Sequence, residues 1–292
     1  MNFNPPWKTT MQITPLSPVL GAEVTGLDLN RPLADQDFRT LRDAFDRHSL
    51  LVFRDQDLAP AAHVAFSRRF GPLEVHVQKR FHHRDFPEIL IVSNVVEDGA
   101  PIGLADAGRY WHSDLSYLAE PSLASVLNAR ELPEGDGDTL FTSLIAAYAA
   151  LDPATKGRLA GLTAVHDYNA RNAIQAAKSS LRPTLSVAEA ATVPPVAHPV
   201  VRRHDDGRLG LFVSEGFTTH VVGLDEAEGR ALLEALFRHS TETRFGYRHH
   251  WRPGDVVMWD NRATLHLATG TLPGARRTLH RTTIRGPVPL AA

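Results

Sequence analysis

Apolar residues along this chain fall mostly into short runs of strand length. Leu50-Leu51-Val52-Phe53, Glu88 to Val95, Ser122 to Asn128, Asp138 to Thr142 and Asp255 to Trp259 are uninterrupted or alternating and end at polar, Gly or Pro residues. Gln12 to Leu29 reads as short strands broken at Pro15, Pro18, Gly21 and Gly26. Pro199 to Arg203 and Arg208 to Val213 flank Asp205-Asp206-Gly207, a hairpin signal. Arg244 to His249 and Arg277 to Ile284 complete the strand set. Helical spacing appears in fewer places: Asp35 to about His48 with Asp35 as N-cap, Pro60 to Phe70 closed by Gly71-Pro72, Asp152 to Leu162, and Leu224 to Ser240. Glu97 to Tyr110 has no apolar period and reads as a mobile loop. Val165 to Pro195 is the least patterned stretch, with weak helical signal over Ala170 to Lys178, and is expected to be an insertion or lid. Few strands alternate with helices, which predicts a mainly β fold, an antiparallel barrel or jelly roll with flanking helices.

Composition narrows the chemistry. The 292 residues are expected to form one domain, with Met1 to Thr10 as a loose arm. A formal net charge of −2 gives no reason to expect nucleic acid or an anionic membrane as partner. The absence of cysteine excludes disulfides, thiolate zinc sites, iron–sulfur clusters and a cysteine nucleophile. No apolar run has membrane-spanning length and Met1 to Thr10 lacks the apolar core of a signal peptide, so the expected location is cytoplasmic. Any metal site must use imidazole and carboxylate, drawn from 15 histidines that mostly serve other ends.

Two imidazoles and one carboxylate on one face suit non-haem Fe(II) and leave coordination positions open. A His-x-Asp pair on extended chain puts both side chains on the same side. About one or two such triplets arise by chance in a chain of this composition. This one has three: His83-Arg84-Asp85, His112-Ser113-Asp114 and His204-Asp205-Asp206. The last lies in the hairpin turn, where its side chains are expected to splay into water, and the first in a charged loop before Phe86-Pro87. His112-Ser113-Asp114 follows a loop and enters an apolar run, the position of a site at a barrel mouth. Downstream, His266 follows the polar turn Asp260-Asn261-Arg262. Arg277, Leu279 and Arg281 then alternate onto one strand face, while His280 faces the other way. Two fixed guanidiniums suit two carboxylate-like anions.

Trp111-His112-Ser113-Asp114, Gly137-Asp138-Thr139, Trp259-Asp260-Asn261-Arg262, His266, Arg277 and Arg281 together resemble the taurine dioxygenase and phenoxyacetate-herbicide dioxygenase family. Ile13-Thr14-Pro15-Leu16, Arg69-Phe70-Gly71-Pro72-Leu73 and Glu215-Gly216-Phe217-Thr218-Thr219 extend the likeness over nearly the whole chain. The resemblance implies a double-stranded β-helix, or cupin-like jelly roll, that uses Fe(II), 2-oxoglutarate and O2 to hydroxylate a small anionic organic substrate. It implies His112, Asp114 and His266 as iron ligands, and Arg277 with the Thr139 hydroxyl as the seat of the distal 2-oxoglutarate carboxylate. Arg281 matches the position that holds the substrate's acidic group, and His76 a substrate-contacting histidine. Lys79, Gly108 and Asn172 replace a tyrosine, an asparagine and a phenylalanine that surround taurine in taurine-type members, so the taurine-recognition set is incomplete. Lys79, Arg109, Tyr110 and Asn172 are further candidates for substrate contact, and a homodimer or homotetramer is expected. Two other classes fit the same ligands. One is a zinc hydrolase, which has no need of Arg277 and Thr139, and the other a metal-free jelly-roll binding protein.

Overall fold

A computed structural model of the chain describes residues 10–105, 108–178 and 184–292. All but Thr10 of the expected N-terminal arm lies outside the described residues, as do 106–107 of the expected loop and 179–183 of the expected lid.

Two mainly antiparallel sheets face each other, although Ala22–Thr25 pairs parallel with Leu50–Phe53 in the larger. In the larger, Leu50–Phe53, Val256–Asp260, Ser122–Glu131 and Thr278–Arg285 lie side by side. Gln12–Pro15 and Ala22–Thr25 extend one edge, while Leu73–Glu74 and Leu90–Ser93 both pair with Thr278–Arg285. The smaller sheet has Thr139–Ser143 between Gly246–His249 and Thr264–Ala268. This is the two-sheet jelly roll that the run lengths predict. The long uninterrupted apolar runs belong to strands covered on both faces: Leu50, Leu51, Val52 and Phe53 are all fully buried. Leu50, Val52, Leu127, Val257, Trp259 and Leu279 meet Phe141 between the sheets. Leu51, Phe53, Val126 and Met258 point outward beneath the helices Asp35–His48 and Pro60–Arg68, against Leu41, Phe45 and Phe66. Each such large side chain contributes about 1.5–3 kcal/mol on burial. Helix Glu226–Ser240 covers a third cluster, with Leu232, Leu233 and Leu236 against Leu211, Val213 and Leu265.

Several details differ from expectation. Ala34, not Asp35, is the N-cap of the first helix, and Asp35 is its first helical residue, where its carboxylate still faces the helix dipole. Within Val165 to Pro195 the chain forms a helix, Tyr168–Lys178, and a short one, Val187–Ala191, capped reciprocally by Ser186 and Glu189. Just before it, Thr163–His166 pairs with Val196–Pro199 and Thr218–Val221 in a sheet of its own, which local pattern did not reveal. Glu97 to Tyr110 contains a two-residue hairpin, Val96–Glu97 with Ala100–Pro101. Among the described residues, no helix is long and apolar enough to cross a membrane.

A buried polar knot fixes the start of the central strand. Asp255 is fully buried and accepts from Arg54 Nη1 (2.5 Å), the Arg252 amide (2.9 Å) and His249 Nε2 (3.0 Å). Asp255→Ala leaves Arg54 without that carboxylate in a buried setting and is expected to cost about 3–5 kcal/mol, readable as a lower urea midpoint. A loss below about 1 kcal/mol would show that the knot adds nothing beyond a surface pair.

Candidate active site

The sequence bends at Trp111 so that His112 lies against the strand that carries His266. His112 N–H donates to the His266 carbonyl (3.1 Å) and His266 N–H to the His112 carbonyl (2.9 Å). This two-way bridge brings the rings to 4.1 Å between centroids. Asp114, two residues on, joins them from the same side, with Oδ1 at 3.7 Å from His112 Nε2 and Oδ2 at 3.9 Å from His266 Nε2. The candidate ligand atoms of His112, Asp114 and His266 lie within 4.8 Å of one another, and all three residues are buried. The other two His-x-Asp triplets do not contribute. His83 packs on His280 across the sheet face. His204 does not splay into water as the turn suggested: it is buried, and desolvation pulls its pKa down to about 4, while Asp205 pairs with Arg262 (3.0 Å).

The protonation pattern suits a metal. His112 Nδ1 faces the carbonyl oxygens of Tyr110 (2.9 Å) and His266 (3.1 Å), which only accept, so Nδ1 carries the proton and Nε2 presents its lone pair. Burial, with His112 adding to it, holds the His266 pKa well below the usual histidine range, so its ring is neutral. For Asp114 burial acts to raise the pKa. The Arg281 guanidinium, with His112 and His266 beside it, outweighs burial and holds the carboxyl well below the usual range. Two imidazoles and one carboxylate, gathered in a dry site, fit a divalent first-row ion.

Around this triad stand groups whose part in holding it the sequence did not give. Ser125 Oγ donates to Asp114 Oδ2 (2.6 Å). Asn261 is fully buried and accepts from the Asp114 amide (3.1 Å) and Trp259 Nε1 (2.9 Å), while its Nδ2 donates to Ser122 and Ser125 (3.0 Å each). The turn Asp260-Asn261-Arg262, read as a polar turn, is therefore a buried clamp that orients the carboxylate. The quoted Trp-Asp-Asn-Arg run marked the place but not the role. Arg281 Nη1 donates to Asp114 Oδ1 (2.7 Å), while Arg281 Nε is buried without a partner.

Three cavities surround the cluster. One of about 30 Å³ sits on it, walled by His112, Asp114, Arg281, His76, Tyr110 and Phe217 among others. A second, of about 50 Å³, is lined by Arg277, Arg109, Asn94 and Ala268. Ala268 is two residues beyond His266 on one strand, so this cavity adjoins the triad along the barrel. Arg277 is half-buried, with Nε shut off from any partner and the rest of its guanidinium at the cavity, and burial lowers its pKa to about 10. Gly137, at φ +79°, makes room for it, since a Cβ there would lie 2.9 Å from Arg277 Cδ. Thr139 is buried nearby and accepts from Trp251 Nε1 (2.9 Å), whose ring lies 5.8 Å from the Arg277 guanidinium carbon. Thr139 itself does not wall that cavity. The third cavity, of about 900 Å³, is lined by Val75, Val77, Lys79, Leu118, Leu185 and Val193 among others. Of the remaining candidates, Tyr110 stacks near His112, Lys79 is exposed at the large cavity, Arg109 belongs with Arg277, and Asn172 is buried on its helix away from all three linings.

The family model for taurine catabolism dioxygenase TauD, TfdA family, matches residues 12–283. The chain belongs to the TauD/TfdA family. The alpha-ketoglutarate-dependent 2,4-dichlorophenoxyacetate dioxygenase of Cupriavidus pinatubonensis (strain JMP 134) is 38% identical over 281 residues, 92% of this chain and 96% of that one. A crystal structure of a taurine dioxygenase from Burkholderia xenovorans superposes with a TM-score of 0.79 at 32% identity, covering 97% of this chain and 93% of the other. AAD-2 in complex with Mn(II) and N-oxalylglycine gives 0.80 at 30% identity, over 96% and 100%. This TauD/TfdA member is a 2-oxoglutarate-dependent dioxygenase that uses Fe(II) and O2. The hydrolase and metal-free alternatives fall with that result.

Proposed function

We propose that this dioxygenase hydroxylates a small anionic organic substrate, a sulfonate, sulfate ester, phosphonate or aryloxyalkanoate. The observation that carries the reading is the buried His112–Asp114–His266 cluster with two guanidiniums, Arg281 and Arg277, lining separate cavities. When bound, Fe(II), 2-oxoglutarate and O2 supply an oxidation that converts the keto acid to succinate and CO2 and leaves a hydroxyl on a substrate carbon. His112, Asp114 and His266 hold the metal. Asp114 is kept ionised by Arg281 and oriented by Ser125 and Asn261. Arg277 receives the distal carboxylate of 2-oxoglutarate, with the Thr139–Trp251 pair stiffening the wall beside it. His76 and Arg281 face the substrate, and the aromatic wall of Tyr110, Tyr117, Tyr168 and Phe217 excludes water. A carbon bearing sulfonate, sulfate or ether oxygen becomes unstable once hydroxylated, so the product separates into a carbonyl compound and a leaving group. The chain works as a single domain, in a homodimer or homotetramer. Residues 165–195 serve as a cover, which agrees with Leu185 and Val193 walling the large cavity. The test is succinate release with Fe(II) and 2-oxoglutarate across a panel of the named anions. If no compound raises it above the background rate, the substrate assignment fails.

Arg281 carries two duties in this scheme, because the same guanidinium faces the substrate pocket and holds Asp114. Arg281→Ala is therefore expected to raise the apparent substrate constant and to weaken metal affinity, the latter by about 10–100-fold as for other groups that support a ligand. Iron titration followed by activity separates the two. Unchanged iron affinity would confine Arg281 to the substrate.

A further inference from the structure

The cavity that Arg277 lines has a second guanidinium in its wall. Arg109 comes to it from the segment just before Trp111, and Arg277 from the residue before strand Thr278–Arg285. The Gly108 carbonyl accepts from the Ala268 amide (2.8 Å), which fastens the start of that segment to the end of the strand that carries His266. The Arg109 guanidinium then lies against Gly270. A Cβ at residue 270 would stand 1.8 Å from Arg109 Nη2 and 2.5 Å from its Cζ. Gly270 has φ +84°, where glycine is favoured, and it lines the same cavity. The chain thus leaves open at 270 the space that the guanidinium takes.

The rest of the wall is already committed. Asn94 Nδ2 donates to Thr271 Oγ1 (2.9 Å) and to the Ala275 carbonyl (2.7 Å), while its Oδ1 accepts from the Arg277 amide (2.9 Å). These bonds hold the backbone of Arg277 and the loop facing it in one frame. Among the described residues that line the cavity, both charged side chains are cations and none is a carboxylate. Two guanidiniums round a space of about 50 Å³ suit one small anion. A carboxylate has two oxygens and about four lone-pair sites, enough for donors from two arginines.

We propose that Arg109 is a second binding residue for the distal carboxylate of 2-oxoglutarate, placed by the missing side chain of Gly270. The sequence had put Arg109 among the substrate contacts; its position moves it to the co-substrate. This rests on the reading of Arg277 above and adds a residue to it. Arg109 is exposed and Arg277 half-buried, so Arg277 supplies the larger share of the binding and Arg109 the smaller.

The experiment is calorimetric titration of N-oxalylglycine into the full-length protein loaded with Mn(II), which reads binding without turnover. Arg109→Ala is expected to raise the dissociation constant about fivefold, the size of a contact whose cation is exposed. Gly270→Ala keeps the arginine but puts a methyl group where its guanidinium lies, and is expected to weaken binding in the same direction. The combined variant is expected to bind no more weakly than Arg109→Ala alone, because both changes remove one contact. A wild-type dissociation constant in Arg109→Ala overturns the proposal. A loss from Gly270→Ala that persists in full when Arg109 is already alanine overturns the placement by Gly270, since backbone strain at 270 would then act by itself. Arg277→Met is the reference. If it binds N-oxalylglycine as the wild type does, the seat assigned to the keto acid is wrong, whereas a loss there with none in Arg109→Ala overturns the second guanidinium alone.

Discussion

Replacing His266 by alanine is expected to abolish substrate-dependent succinate release, by at least about 10³-fold, equivalent to about 4 kcal/mol of barrier. His266 sits in a strand whose neighbours leave no substitute ligand. Its ring lies between Trp259 (4.7 Å) and Phe141 (6.1 Å), and its other close imidazole is His112 itself. Without it the site keeps one imidazole and one carboxylate, and Asp114 is still tied to Arg281. Two protein ligands hold a divalent first-row ion far more weakly than three, so loss of the second imidazole is expected to leave the site without its ion. Alanine also opens a void beside Trp259, so His266→Gln, which keeps most of the volume, is the companion variant. Mn(II) is expected to raise the melting temperature of the wild type and of neither variant. Activity within tenfold of wild type in the glutamine variant would remove His266 from the metal site.

What the sequence made legible and what it left hidden divide along a physical line. Strand-length apolar runs, Gly and Pro punctuation and the His-x-Asp pair are local, and each was placed where the structure has it. Neighbouring positions also part by face: His249 is fully buried on Asp255, while His250 is exposed beside Asp138. The hidden part consists of partnerships. Asp114 is held by Ser125 and Asn261 and by Arg281, 167 positions away, and no local pattern encodes those choices. The inward turn of His204 went unseen for the same reason. A hairpin turn favours solvent locally, but here the ring is buried where Asp260 and Arg262, from a distant segment, act on it. The strand Thr163–His166 was missed because its sheet partners lie at 196–199 and 218–221, across a helical stretch with weak apolar period.

Arg277→Met is expected to separate stability from function in opposite directions. No carboxylate of the described residues pairs with Arg277 within salt-bridge distance, and its Nε is closed off without a partner. Asp136 and Asp138 act on it only from further away, too weakly to offset burial, which is why its pKa falls to about 10. A charged group kept in that state destabilises the protein by itself, and the arrangement makes sense only if an anion completes it. Methionine occupies similar space without the charge. The variant without 2-oxoglutarate is therefore expected to unfold at a urea concentration equal to or above that of the wild type. At the same time the KM for 2-oxoglutarate should rise by about 10²-fold or more, since one fixed cation facing one carboxylate in a dry pocket contributes about 3 kcal/mol of binding. N-Oxalylglycine supplies the control: it should raise the wild-type melting temperature and leave that of the variant unmoved. A variant that unfolds more readily than the wild type while keeping its KM would show that the guanidinium holds the barrel together rather than receiving the keto acid.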